Sequence, residues 1–123
     1  MDGGVFILAV DSNRNNLELL IQPLQNEGFE IFTATDLEEF EQALTKTIRI
    51  QLVLLDISGF NRQVWHSCQQ LRDRKIPFIV FLPRKNRKIY LEAIAHGARR
   101  VEVKPIIIKD LLIQIHNILS EQT

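Results

Sequence analysis

Hydrophobic and polar positions alternate along this chain in blocks. Apolar, strand-like runs stand at 5–10 (VFILAV), 29–34 (FEIFTA), 50–55 (IQLVLL), 77–82 (PFIVFL) and 99–103 (RRVEV). The first, third and fourth are almost continuously apolar, the composition of strands covered on both faces. Between the runs lie helix-length segments with apolar residues three and four apart. The first places Leu17, Leu20, Ile21 and Leu24 on one stripe and stops at Gly28, with Pro23 expected to kink it. Thr35 and Glu38 have capping-box spacing, opening a second helix that buries Leu37, Phe40 and Leu44. A third helix buries Val64, Cys68 and Leu71 and leaves Trp65 beside that stripe, at the surface. A fourth offers Ile89, Ala93 and Ile94 and ends at Gly97; a fifth offers Leu111, Leu112, Ile115 and Leu119.

Five alternations of strand and helix predict an α/β fold, an open parallel sheet with helices on both faces. In such sheets chemistry sits beyond the carboxyl ends of the strands. Asp11 follows the first strand, Asp56 ends the third, Leu82 and Pro83 end the fourth, and Lys104–Pro105 ends the fifth. Two carboxylates can hold a magnesium ion that keeps several waters. A lysine beside them can neutralise phosphoryl oxygens as a point charge, and an aspartate there can be a nucleophile that forms an acyl phosphate. Each acid alone is better explained as a cap on the helix after its strand. The three together form a pattern.

The residues at these strand ends resemble the receiver domains of two-component response regulators. ILAVDS, LVLLDI, IPFIVFL, the HGA of 96–98 and VEVKP carry the resemblance, which spans 5–120. It implies the flavodoxin-like strand order 2-1-3-4-5 and a single receiver-like domain over 1–123. Asp56 takes the phosphoacceptor position, Asp11 the first place of an acidic pair, and Lys104 the phosphoryl-contacting place, with a cis Lys104–Pro105 bond. Four features of the family are absent. Ser12 stands where the second acid belongs, Leu82 where a Ser or Thr hydroxyl ends the fourth strand, and Val101 where the aromatic switch residue stands. The loop ISGFN lacks the usual Met-Pro or Leu-Pro pair. The resemblance therefore implies Mg2+ binding at Asp11 and Asp56 that is weak or absent.

The expected function is a non-enzymatic, cytoplasmic signalling module with little or no phosphorylation switching. Its partner is a histidine kinase or an output domain, and a homodimer is left open. The alternative is a working receiver phosphorylated at Asp56. A flavodoxin-like ligand binder ranks below both, because DSNRNN has no glycine for a phosphate loop.

Composition narrows the picture further. The 123 residues are 46% hydrophobic, enough for a core in one domain. No apolar run reaches the length of a membrane span, and no secretory signal opens the chain. Lone Cys68 has no internal disulfide partner, which fits a reducing compartment, and reads as a small buried hydrophobe. His66, His96 and His116 lack metal-ligand spacing.

Net charge is zero, but residues 1–60 hold ten acids against three cations and residues 61–123 twelve cations against five acids. The simpler explanation is two solvated faces of opposite sign; the sharper one is a docking surface. Arg84, Lys85, Arg87 and Lys88 open the fourth helix, where cations oppose the helix dipole. Arg99 and Arg100 are expected close to them. No aromatic interleaving or helix-turn-helix pattern indicates nucleic acid.

Overall fold

The computed structural model describes residues 4–46 and 49–121. Asp2 of the acidic count and Thr47, at the expected end of the second helix, lie outside them. Strands and helices alternate throughout: β1 (Phe6–Val10), α1 (Arg14–Asn26), β2 (Glu30–Ala34), α2 (Leu37–Lys46), β3 (Ile50–Asp56), α3 (Gln63–Asp73), β4 (Phe78–Leu82), α4 (Arg87–Ala95), β5 (Arg100–Val103) and α5 (Ile108–Ser120). The five strands form one parallel sheet in the order β2-β1-β3-β4-β5. The central strands β3 and β4 are buried along nearly their whole length, as their unbroken apolar runs require.

The sheet divides the core in two. On one face Leu8, Val53, Leu55 and Val80 pack with Phe40 of α2, Leu71 of α3 and Ala93 of α4. On the other, Ile7, Leu52, Leu54 and Ile79 pack with Leu24 of α1 and Ile115 of α5. The alternation along each strand sends successive side chains to opposite layers.

The helix stripes emerge largely as the spacing predicts, and the departures have local causes. Helix α1 buries Leu17, Leu20 and Leu24, and runs unbroken through Pro23 to Asn26. Gly28 then takes φ +91°, a left-handed conformation that lets Phe29 N donate to the Leu24 carbonyl at 3.2 Å. The α2 cap lies one residue later than Thr35–Glu38. Asp36 Oδ1 accepts from Glu39 N at 2.7 Å, while Glu39 Oε1 accepts from Thr35 N at 2.7 Å.

Trp65 is not at the surface: it is 7% exposed and belongs to the core cluster. His96, at the C-terminal end of α4, stacks on its ring with centroids 5.1 Å apart and planes 17° apart. Ile94 is 43% exposed and not part of the core, because α4 buries only Ala93 fully. Tyr90 and Leu91 share that exposure. Cys68 is fully buried, and burial pushes its thiol up to about 12.

Arg99 and Arg100 do not lie near Arg87 and Lys88. They begin β5, with Arg99 N bonded to the Phe78 carbonyl at the start of β4, whereas Arg84–Lys88 follow the end of β4. The two groups sit at opposite ends of the sheet, a strand length of about 13 Å apart. No described helix is long and apolar enough to cross a membrane.

Candidate functional site

Parallel strands deliver their last residues to one edge of the sheet, and three charged side chains arrive there. Asp11 directly follows β1, Asp56 closes β3, and Lys104 directly follows β5. Both carboxylates are buried, Asp11 to 6% and Asp56 to 4% exposure. Lys104 reaches inward across the end of β4, its Nζ 2.5 Å from Asp56 Oδ2. The Lys104–Pro105 bond is cis, as the resemblance implies. Lys104 N also donates to the Leu82 carbonyl at 2.8 Å, fixing the turn to the end of β4.

One oxygen of each acid also accepts from neighbouring backbone. Asp56 Oδ1 accepts from Ser58 N at 2.9 Å, and Asp11 Oδ1 accepts from Asn13 N at 2.9 Å. Asn16 adds a side-chain hydrogen bond to Asp11. Burial raises the Asp11 carboxyl above its ordinary value; the bond from Asn13 opposes this and the charge of Asp56 adds to it.

Ser12, expected where an acid would stand, and Gly59, to which no role was assigned from the sequence, both belong to this site. The Ser12 hydroxyl donates to the Ser58 carbonyl at 3.1 Å, joining the loop after β1 to the loop after β3. Gly59 holds φ +83°, and a Cβ built on it would lie 2.5 Å from Ser12 Oγ. The Ser-Gly pair at 58–59 was a turn signal within ISGFN. Leu82 is 1% exposed and packs in the α2–α4 side of the core. Val101 is half-buried against the same cluster.

Magnesium prefers oxygen donors in near-octahedral arrangement and needs at least one or two free carboxylates. The donor set fits it poorly. Asp56 is engaged by an ammonium and an amide, Asp11 by an amide and a side-chain donor, and the Ser58 carbonyl by Ser12. Among the described residues no group of three His, Cys, Asp or Glu side chains converges.

A doubly wound sheet in this order, with two acids and a lysine meeting at its carboxyl edge, defines a class of α/β domain whose site is made by strand ends. The response regulator receiver domain family matches residues 7–116, and this chain belongs to that family. It is a family of two-component signalling modules, generally not catalytic, whose members interact with histidine kinases and output domains and typically bind Mg2+ at the phosphorylation site.

Solved structures share the fold. A two-component response regulator from Clostridium difficile aligns with TM-score 0.87 at 22% identity, over 97% of this chain and 98% of that one. A CheY-like receiver domain protein from Methanospirillum hungatei aligns with TM-score 0.88 at 24% identity, over 98% of this chain and 97% of that one. The receiver domain of NtrX from Brucella abortus gives 0.81 at 24% identity, over 93% of this chain and 98% of that one. A comparison with curated proteins found no match.

Proposed function

We propose that this chain, taken as one receiver unit over 1–123, is a cytoplasmic interaction module of two-component signalling whose phosphorylation switching is weak or lost. Asp56 occupies the phosphoacceptor position, with Asp11 and Lys104 beside it. The observation that carries this reading is Leu82. A receiver that switches needs contacts that differ between its two states. At the end of β4, where the family supplies a hydroxyl, a leucine side chain is instead sealed into the core. It has no donor to offer a phosphoryl oxygen. Ser12 supports the same reading: in the place of an acid, its hydroxyl is spent on the Ser58 carbonyl. Partner recognition by a histidine kinase or an output domain then works through one arrangement of the surface.

One observation favours the alternative, a working phosphoacceptor. The Lys104–Asp56 contact keeps a carboxylate nucleophile and a cation together. In that reading an Asp56 oxygen attacks the phosphorus of the donor, the bond to the leaving group breaks, and an acyl phosphate remains.

Labelling by a small phosphodonor in magnesium, read by intact mass, decides between them. The parent is expected to label far less than a Ser12→Asp/Leu82→Thr double variant, and Asp56→Asn to abolish the label. The double variant loses about 2–3 kcal/mol of stability, because threonine at 82 removes buried methyl groups and buries a hydroxyl. A parent that labels as readily as the double variant establishes the alternative.

A further inference from the structure

The strand order converts the charge asymmetry of the sequence into an asymmetry in space. Strands β2, β1 and β3 all come from residues 1–60, and β4 and β5 from the rest. The described part of the acidic half, nine acids against three cations, therefore occupies the β2 side of the sheet. The basic half, plus seven from twelve cations and five acids, occupies the β5 side. A chain of net charge zero carries a dipole from edge to edge.

The two poles differ from ordinary solvated faces. Arg84, Lys85, Arg87 and Lys88 are all exposed, and none pairs with an acid among the described residues. They crowd the N-terminal end of α4, where the helix dipole disfavours cations, and no ion pair among the described residues offsets that cost. Beside them on the same helix Tyr90, Leu91 and Ile94 are 45%, 50% and 43% exposed. At the opposite pole an open groove of about 460 Å³ lies between β2 and α2, lined by Phe32, Thr33, Glu39, Gln42, Ala43 and Lys46. Glu38 and Glu41 of α2 are exposed and also without an ion-pair partner among the described residues. One pole thus presents apolar side chains flanked by cations; the other presents a groove of mixed polar and apolar lining on α2, the helix that also carries exposed Glu38 and Glu41.

We infer that copies of this chain associate head to tail, the α4 face of one seated on the β2–α2 groove of the next. A two-fold dimer through either face opposes like charges, whereas the head-to-tail arrangement pairs opposite ones. A nucleic acid would use the cations but leave Tyr90, Leu91 and Ile94 uncovered. The contact is heterologous and leaves a free pole at each end, so association is open-ended and grows with concentration. It does not depend on phosphorylation of Asp56.

Sedimentation of the parent in low and high salt, with two surface variants, tests this. The parent is expected to gain mass with concentration in low salt and to revert to monomer in high salt. Arg87→Glu/Lys88→Glu and Glu38→Lys/Glu41→Lys should each weaken self-association roughly tenfold or more, with unchanged circular dichroism. Each variant carries the charge the other lacks, so mixing them should restore association that neither shows alone. A parent monomeric at millimolar concentration in low salt overturns the inference, even if it binds duplex DNA. So do variants that associate as the parent does, or a mixture that fails to pair.

Discussion

Asp11 is held at the strand edge at a cost. Burial and the nearby charge of Asp56 raise its carboxyl above its ordinary value, so the folded state binds that proton more readily than the unfolded chain does. The stability this group contributes is present below its unfolded value and is lost as pH rises through the folded one. Asp11→Asn, whose amide oxygen can still accept from Asn13, should therefore stabilise the protein at neutral pH. The gain should vanish in acid, as read by urea unfolding at both pH values.

Gly59 tests the clasp beside it. Gly59→Ala should cost about 1–2 kcal/mol, from the left-handed backbone and from crowding Ser12 Oγ. Adding Ser12→Ala should return part of that cost in a double-mutant cycle. The positions of Asp11, Asp56 and Lys104 were legible because strand ends in a parallel sheet share one edge. The destination of the Ser12 hydroxyl was not, because it depends on how closely two loops approach, and Gly59 alone permits that approach.

The strands could be read from continuous apolar runs, and most helix faces from their spacing. Failures came where two local solutions competed or where neighbours decided burial. Thr35–Glu38 and Asp36–Glu39 share the same three-residue offset, and the aspartate prevailed as the residue whose side chain caps the helix. Trp65 lies beside the α3 stripe and is buried in the core cluster, with His96 of another element stacked on its ring. Ile94 fits the α4 period, yet only Ala93 of that helix is fully buried. Helix α3 ends at a further site that invites a test. Lys75 has φ 61°, and Ile76 N donates to the Leu71 carbonyl at 2.9 Å across it. Lys75→Gly should stabilise the protein by up to about 1 kcal/mol, because a left-handed lysine carries a Cβ clash that glycine lacks. Chemical denaturation of the exposed-site variant against the parent measures it.

At the scale of the whole molecule, β3 links the acidic side of the sheet to the basic one through its pairing with β4. Both poles consequently rest on one continuous sheet, with the core cluster of α2, α3 and α4 on one face of it. The sole cysteine sits in that core, on α3, fully shielded and with its thiol pushed to about 12. A thiol so protonated and covered reacts only when the structure opens around it. Cys68 is thereby a clock for the opening equilibrium. Its modification by a neutral reagent should accelerate about tenfold for every 1.4 kcal/mol removed from stability when reclosing outruns the reaction. Gly59→Ala should set that clock running faster, and Lys75→Gly slower, without any probe being added to the chain.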